Sequence, residues 1–207
     1  MSRTALAFTA HPDDAEICLG GTLAALADHG WDVHIVVASV PDHRDRRLAE
    51  VQRGADVLGA RAHVLEHDGH WQVEDLTAYQ LVREFDRHVR RLAPQRVFTH
   101  WLGDTHQDHV LVARAAISAM RGSHADLFMC EQPNQYAPSA SPFPVDTYVD
   151  VSAQFERRLR AVACHLSQAA AEKYTEQLTA RARYHGDRIG CRYAEAFSCV
   201  VQRMELS

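Results

Sequence analysis

The chain has 207 residues, of which 46% are hydrophobic and 24% charged, and its formal net charge is −5. This composition is typical of a globular protein and suffices for one well-packed domain, which we expect to span residues 1–207. Because the sequence has no basic stripe and no apolar stretch near the ~20 residues of a membrane span, it argues against nucleic acid and membranes as partners.

The predicted elements alternate between short apolar strands and helices. In chain order they are strand Thr4–Thr9, helix Gly20–His29, strand Trp31–Ala38, helix Asp45–Leu58, strand Arg61–Leu65, helix Thr77–Leu92, strand Arg96–Thr99, helix Val110–Met120 and strand Leu127–Cys130. This alternation predicts an α/β fold, a Rossmann-like and mostly parallel sheet with helices on both faces. The strand order that we expect is 3-2-1-4-5.

The rest of the chain differs in its proline content and in the length of its predicted elements. Residues 132–146 contain four of the seven prolines, which predicts a loop that forms a pocket wall or a lid. A long helix is predicted from Ala153 to Tyr184, and a final strand falls within Tyr193–Arg203.

The cysteines bear on the cellular compartment. The chain has five cysteines, an odd number, and no two of them are separated by the short spacing of a metal-binding pair. This favours free thiols in a reducing compartment over a cysteine-based zinc site. The first strand begins at Thr4, which leaves no room for a cleavable signal sequence. We therefore expect a cytoplasmic protein.

Two polar clusters directly follow the first and the fourth strands. They are HPDD at residues 11–14 and THQDH at residues 105–109. Because strands one and four are neighbours in the expected order, both clusters reach the crevice at their carboxyl ends, where ligands bind in such sheets. Mixed histidine and aspartate ligands suit a catalytic divalent metal, most simply zinc with an open position for water. The residues alone leave open which aspartate binds metal and which serves as a base.

The other histidines are predicted to be ordinary surface or core residues, and those considered are His29, His34, His43, His63, His88, His124 and His185. HDGH at residues 67–70 contains a turn-forming Asp-Gly pair, which predicts a loop. The glycine pair at residues 20–21 lacks the GxGxxG spacing of a dinucleotide site, so we expect it to allow close packing where the first helix starts.

Several segments resemble one family. AHPDDAEICLGGTLAAL at residues 10–26 resembles the opening signature of the LmbE-like (PIG-L-type) zinc-dependent de-N-acetylases, which remove acetyl from N-acetylglucosamine units in varied conjugates. APQRVFTHWLGDTHQDH at residues 93–109 resembles their second metal block. Weaker likenesses are RLAE at 47–50, LGA at 58–60, HLSQ at 165–168 and YAEAF at 193–197. The likeness therefore extends over nearly the whole chain.

The chain departs from the family pattern at two places. Gln107 stands where the family commonly has proline, and we expect this change to be benign. ASVPDHRDRR at residues 38–47 replaces a Thr-x-Gly-Glu-like turn beside the expected pocket. The second departure leaves the substrate open.

The resemblance implies a role for each candidate residue. It makes His11, Asp14 and His109 the metal ligands and Asp13 the general base. It makes His106 the group that stabilises the oxyanion or protonates the amine. It also matches Arg47 to a position that holds substrate. Asp108 is suited to orient His106 or a metal-bound histidine, and its alternative role is to cap the helix that begins near Val110.

The activity that the resemblance implies is metal-dependent hydrolysis of the N-acetyl group of an N-acetylglucosamine-type sugar in a small-molecule conjugate. Zn²⁺ is the expected cofactor, Fe²⁺ is the other candidate, and a second copy of the chain is the only protein partner considered. The alternatives are a metal-dependent amidase or phosphodiesterase that acts on a non-sugar substrate, or a non-catalytic metal- or sugar-binding protein. Asp13 and His106 count against the last, because metal binding alone does not need them.

Overall fold

A computed structural model of the protein describes residues 3–66, 72–130, 142–167 and 171–203. The predicted loop at residues 67–70 and most of the predicted proline-rich loop, up to residue 141, lie outside the described residues. Within the described ranges, no helix is long and apolar enough to cross a membrane.

One mixed sheet forms the centre of the described structure. Its strands are β1 Thr4–Thr9, β2 Asp32–Val37, β3 Arg61–Val64, β4 Arg96–His100, β5 Asp126–Cys130, β6 Thr147–Asp150 and β7 Ala194–Val201. The spatial order is β3-β2-β1-β4-β5-β7-β6, so the predicted order of the first five strands is confirmed. These five are parallel, whereas β7 runs antiparallel to both β5 and β6. No strand was predicted at β6.

Helices cover both faces of this sheet, as predicted. They are α1 Asp14–Asp28, α2 Arg44–Leu58, α3 Ala78–Leu92, α4 Gln107–Ala119, α5 Phe155–Val162 and α6 Ala171–Ile189. The helices α3 and α4 pack on one face, and α1, α2 and α5 pack together on the other.

The single long helix predicted from Ala153 to Tyr184 is wrong, because α5 and α6 are separate helices. The segment after α5 instead carries buried polar contacts to other helices. The backbone N–H of Ser167 donates to Glu50 of α2, and His165 lies beside Glu16 of α1. A continuous helix would forgo these contacts.

The first helix starts six residues earlier than predicted, at Asp14 rather than Gly20. Its helical geometry is interrupted at Leu19, where φ is −148°. At the interruption, the buried carboxylate of Glu195 accepts hydrogen bonds from the backbone N–H groups of Gly21 (2.8 Å) and Thr22 (2.7 Å). Glu195 therefore satisfies the backbone N–H groups that the interruption leaves without helical partners. The predicted start at Gly20 coincides with the helical segment that follows the interruption.

The position of β1 determines where the two polar clusters lie. Ala7 packs against the α1 and α2 side of the sheet, whereas Leu6 and Phe8 pack against α3 and α4. On that second face the rings of Phe8 and Phe85 stack at 4.0 Å. Ala7 also pairs with Phe98 of β4, so the carboxyl ends of β1 and β4 are adjacent and bring the clusters together.

Candidate metal centre

The turn between β1 and α1 separates the two adjacent carboxylates. Asp13 has a φ of 88°, in the left-handed region that non-glycine residues rarely adopt. Its side chain makes no capping hydrogen bond within the described structure. Asp14 is the first residue of α1, is buried, and accepts a hydrogen bond from the backbone N–H of His11 (2.8 Å). The turn therefore gives the two aspartates different surroundings, which the sequence alone did not resolve.

The Asp14 carboxylate lies among imidazole nitrogens from three segments. Its Oδ2 is 3.3 Å from His100 Nε2, 3.6 Å from His109 Nε2 and 3.7 Å from His11 Nδ1. Burial disfavours the charged form of Asp14, but the nearby charges of His109 and His100 hold its pKa well below its usual range. Burial likewise opposes the charged form of His109, yet Asp14 raises the pKa of this histidine.

The described residues contain two overlapping donor groups at this point. The ligand atoms of Asp14, His100 and His109 lie within 4.8 Å of one another, as do those of His11, His106 and His109. All three ligands that the resemblance implied belong to these groups, so the structure brings them together. Nitrogen and oxygen donors this close together are a set that can hold a divalent cation.

His100 is a member of this site that sequence reasoning missed. It is the last residue of β4 and is fully buried, and a histidine that ends an apolar strand is the signal that would have found it. Its Nε2 accepts a hydrogen bond from the backbone N–H of Ala10 (3.0 Å), which ties β4 to the residue after β1. Its Nδ1 is buried and has no hydrogen-bond partner among the described residues.

A deeper group contains two thiols, because Cys18, Cys130 and His100 also place ligand atoms within 4.8 Å. Both cysteines are buried and form no disulfide. Hydrogen bonding to Cys130, followed by burial, raises the pKa of Cys18 well above its usual value. The sequence favoured reduced thiols over a cysteine-based zinc site, and it did not predict this group, in which two thiols lie beside His100.

Two histidines of the site, His11 and His109, are each oriented by a carboxylate. His11 Nε2 lies 2.8 Å from Asp108 Oδ2, and His109 Nδ1 lies 2.8 Å from Asp104 Oδ2. Carboxylates in this position fix the ring and its tautomer, so that the other nitrogen is available to a metal. Asp108 was predicted either to orient a histidine or to cap α4, and its contact with His11 has the geometry of the first role. Asp104 was missed, although it lies in the same sequence block.

His106 lies at the exposed side of the site. Its ring stacks on His109 with centroids 4.4 Å apart, and its Nδ1 accepts a hydrogen bond from the backbone N–H of Asp108 (3.3 Å). This bond caps α4. Burial, followed by the charges of His109 and His11, lowers the pKa of His106. The ring is therefore neutral at pH 7, with the proton on Nε2, where it can be donated.

Asp13 and Arg47 form the other side of the site. An amino group of Arg47 lies 3.8 Å from Asp13 Oδ1, and the same side chain donates to Pro12 O (3.1 Å) and Asp42 Oδ1 (2.7 Å). Arg47 is only 5% exposed, so it lies beneath the turn rather than open to a large ligand. Burial and then the charge of Asp14 raise the pKa of Asp13 to about 7.

A buried ion pair behind Asp13 was also missed. His165 Nε2 lies 3.2 Å from Glu16 Oε1, and both side chains are buried. Burial opposes a charged His165, but the neighbouring Glu16 carboxylate raises its pKa. Gly54 of α2 provides the space, because a Cβ there would lie 2.3 Å from Glu16 Oε1 and 2.9 Å from His165 Nε2. His165 is the first residue of HLSQ, a segment to which the resemblance assigned no role, and the structure shows that it packs against Glu16.

Comparison with known proteins identifies the family. Residues 6–120 match the family described as PIG-L: GlcNAc-PI de-N-acetylase, and this match covers more than half of the chain. The chain belongs to the PIG-L family. The matched residues include both polar clusters and His100. The resemblance seen in the sequence is therefore confirmed.

Relatives of this PIG-L protein carry two kinds of name. The diacetylchitobiose deacetylase of Thermococcus kodakarensis is 29% identical over 92% of this chain and 80% of its own. The N,N'-diacetylchitobiose deacetylase of Pyrococcus horikoshii has a TM-score of 0.79 and 22% identity, over 96% of this chain and 84% of that one. The 4-carboxy-2-hydroxymuconate hydratase of Pseudomonas putida has a TM-score of 0.81 and 22% identity, over 99% of both chains. The family match and the deacetylase relatives identify this PIG-L protein as a de-N-acetylase.

Proposed function

We propose that this enzyme hydrolyses the N-acetyl group of an N-acetylglucosamine-type amino sugar carried in a small-molecule conjugate, and that it uses zinc. The observation that carries the proposal is Asp13, a carboxylate beside a cluster of metal donors but outside it. A pure metal-binding site has no need of this group. A hydrolase needs a base at this position, close to the water that it activates.

The donor set fits a divalent cation such as zinc. His11, Asp14 and His109 would hold it, with His100 behind them. Asp108 would orient the ring of His11, and Asp104 that of His109. These are nitrogen and oxygen donors, which zinc accepts and Fe²⁺ also tolerates. When bound, such a cation polarises the acetamide carbonyl and makes a coordinated water more acidic.

Asp13 is placed to move the proton. A general base works best when its pKa is near the operating pH, and burial together with Asp14 raises the pKa of Asp13 to about 7. We propose that Asp13 accepts a proton from the attacking water and later returns it to the leaving amine. Arg47 lies 3.8 Å away and holds the carboxylate in place through the Pro12 carbonyl and Asp42. Arg47 would therefore contribute to substrate binding indirectly, by fixing the turn that carries Asp13.

His106 is the proposed electrophile on the opposite side. Its Nδ1 is occupied by the backbone N–H of Asp108, so its Nε2–H is the available donor. A neutral N–H donor aimed at the carbonyl oxygen would stabilise the negative charge that develops there in the transition state. Stacking on His109 restricts the ring, so little reorganisation accompanies the reaction.

The first experiment measures acetate release across a substrate panel. The panel contains N-acetylglucosamine, N,N'-diacetylchitobiose, N-acetylglucosamine linked to a thiol or an antibiotic aglycone, a non-sugar acetamide, a phosphodiester and an unsaturated dicarboxylate. We expect acetate from at least one amino sugar, loss of turnover on chelation, and recovery with zinc. Phosphate release or hydration of the dicarboxylate without acetate release would instead support another hydrolase or a hydratase and overturn the proposal.

The second experiment separates the base from the metal ligands. We expect Asp13→Asn to keep its bound zinc and lose about 10²–10⁴-fold in kcat. Asp45→Asn is the matched control, because it removes an exposed carboxylate at the start of α2 and should keep most activity. Full activity in Asp13→Asn, or zinc loss as complete as in His109→Ala, would contradict the assigned role.

A further inference from the structure

A cavity of about 470 Å³ lies at the edge of the sheet opposite to the catalytic centre. Arg3 and Arg96 line it and stand at the amino ends of β1 and β4, whereas the two polar clusters follow the carboxyl ends of these strands. None of the described residues that line the cavity belongs to the catalytic centre. A cavity of this size can hold a small organic molecule.

The floor of the cavity is aromatic, and one of its walls is a face of α1. The floor lies on the side of the sheet that α1 covers, and it consists of Phe98, Phe128 and Phe197. The ring centroid of Phe98 is 5.6 Å from that of Phe128 and 5.4 Å from that of Phe197. The wall residues repeat at helical spacing, and they are Thr22, Ala25, Leu26 and His29. A flat apolar ring fits between such a floor and such a wall.

Two guanidinium groups mark one end of the cavity. The Cζ atoms of Arg3 and Arg96 lie 4.6 Å and 4.9 Å from the centre of the Trp31 ring. Contact with the same indole ring places both positive charges together, where the strands begin. Arg3 is exposed, so its side chain can turn toward a bound anion.

These two charges have no carboxylate partner among the described residues. Asp32, which follows Trp31 in the chain, is paired with Arg61 at 2.6 Å. Asp150 also lines the cavity, but its Oδ1 accepts hydrogen bonds from the backbone N–H (2.9 Å) and the hydroxyl (2.6 Å) of Ser152. The arginine end is therefore suited to a carboxylate, which guanidinium groups bind through paired N–H donors.

A buried hydroxyl lies at the other end of the α1 wall. Thr22 is 3% exposed, and its Oγ1 has no hydrogen-bond partner among the described residues. A helical threonine can donate to the carbonyl four residues earlier, but the interruption at Leu19 lies between the two. An unpaired buried hydroxyl is unfavourable, so a polar atom of a ligand would stabilise it. Thr22 and His29 are seven residues apart in the chain, which is about 10 Å along a helix.

We propose that this cavity binds a small aromatic carboxylate. Its carboxylate group would contact Arg3 and Arg96, its ring would lie on the three phenylalanines, and a hydrogen-bonding substituent at the far end would reach Thr22. A carboxylate is favoured over a phosphate ester because Asp150 in the same cavity repels a second negative charge. The site is independent of the proposed deacetylase function, because the two share no described residue.

The test measures binding of 2-naphthoate by isothermal titration calorimetry. EDTA is present, so that the probe does not coordinate a metal ion at the catalytic centre. We expect one site per chain, and 2-naphthamide, which has the same shape without the charge, should bind at least about tenfold more weakly. Arg3→Gln and Arg96→Gln should each weaken binding of 2-naphthoate but not of 2-naphthamide. Arg114→Gln, which alters an exposed arginine on α4, is the matched control and should bind both probes as the natural protein does.

Two further variants test the ring and the hydroxyl. Ala25→Leu enlarges a wall residue but keeps a good helix former, so it should weaken binding of 2-naphthoate at least about tenfold without lowering the Tm. 6-Hydroxy-2-naphthoate should bind about two- to tenfold more tightly than 2-naphthoate, and Thr22→Val should remove this difference. Thr22→Val should also unfold at the same Tm as the natural protein or a higher one, because it loses no hydrogen bond.

Several results would overturn the proposal. One is no binding of 2-naphthoate at millimolar concentration, and another is equal binding by the natural protein, Ala25→Leu and the double variant Arg3→Gln/Arg96→Gln, since the probe would then lie elsewhere. Self-association that Ala25→Leu reverses in sedimentation experiments would show that a second copy of the chain occupies the cavity. Tighter binding of 2-naphthyl phosphate than of 2-naphthoate would exclude a carboxylate as the preferred ligand, and equal affinity for the two naphthoates would exclude Thr22 from the site. Absence of acetate release would alter none of these results, because binding is measured without turnover.

Discussion

Substitution of Gly54 by alanine tests whether the buried pair of Glu16 and His165 is as closely packed as the structure indicates. Gly54 lies inside α2, where alanine is normally favoured over glycine by about 1 kcal/mol. A Cβ at this position would lie 2.3 Å from Glu16 Oε1 and 2.9 Å from His165 Nε2, well inside normal contact distance. Both side chains are buried, so neither can move into solvent.

The magnitude follows from two opposing effects. Overpacking a buried site costs about 1–3 kcal/mol, and separating a buried ion pair tends toward or beyond the upper end of that range. After the gain in helix propensity is subtracted, we expect a net loss of about 2 kcal/mol in the free energy of unfolding. For a chain of this size the Tm should fall by about 4–8 °C.

Urea denaturation followed by circular dichroism measures this loss, and Gly122→Ala is the matched control. A Cβ at Gly122 meets nothing within 4 Å in the described part of the chain, so this variant should stay within about 0.5 kcal/mol of the natural protein. If Gly54→Ala were as stable as Gly122→Ala, or more stable than the natural protein, the packing argument for Glu16 and His165 would be refuted.

Two further predictions concern the metal centre and the pH dependence of stability. Asp104→Asn should weaken zinc affinity about 10–100-fold, because His109 loses the carboxylate that orients it, and competition with a chelator measures this; unchanged affinity would contradict the role of Asp104. Burial, followed by Arg181 and Arg158, lowers the pKa of His185 to about 4. Because the unfolded chain binds this proton below about pH 6.5 and the folded chain does not, stability should fall from pH 6.5 to pH 4 by at most about 3 kcal/mol from this group. His185→Gln should remove that part of the slope in urea titrations at several pH values, and an unaltered slope would count against a buried neutral His185.

Much of the catalytic centre was accessible from the sequence because its parts are local. HPDD and THQDH each lie within a few residues of a strand end, and the alternation of elements predicts that β1 and β4 are neighbours. His100 escaped notice because it belongs to the strand itself, where a buried position is expected to be apolar. Asp104 escaped notice because an aspartate in a turn has an ordinary explanation.

In the helical segments, too, the sequence indicated the local structure but not the effect of distant contacts. The 3.6-residue pattern indicated helical residues on both sides of the region after α5, but the break between α5 and α6 accompanies contacts of His165 and Ser167 with α1 and α2. Likewise, the interruption of α1 at Leu19 is compensated by Glu195, more than 170 residues away. No local propensity contains such partners.

The sequence by itself determined the fold class, the order of the parallel strands and the two clusters that meet at the crevice, because periodicity and strand-end polarity are properties of neighbouring residues. Only the tertiary structure decided which aspartate turns inward and which carboxylate orients each histidine. It alone brought Glu195 to the interruption of α1 and His165 beside Glu16, because contacts between distant segments depend on how helices and strands pack. A histidine has the same letter whether it is exposed, buried or placed to bind a metal, and its neighbours in space decide which.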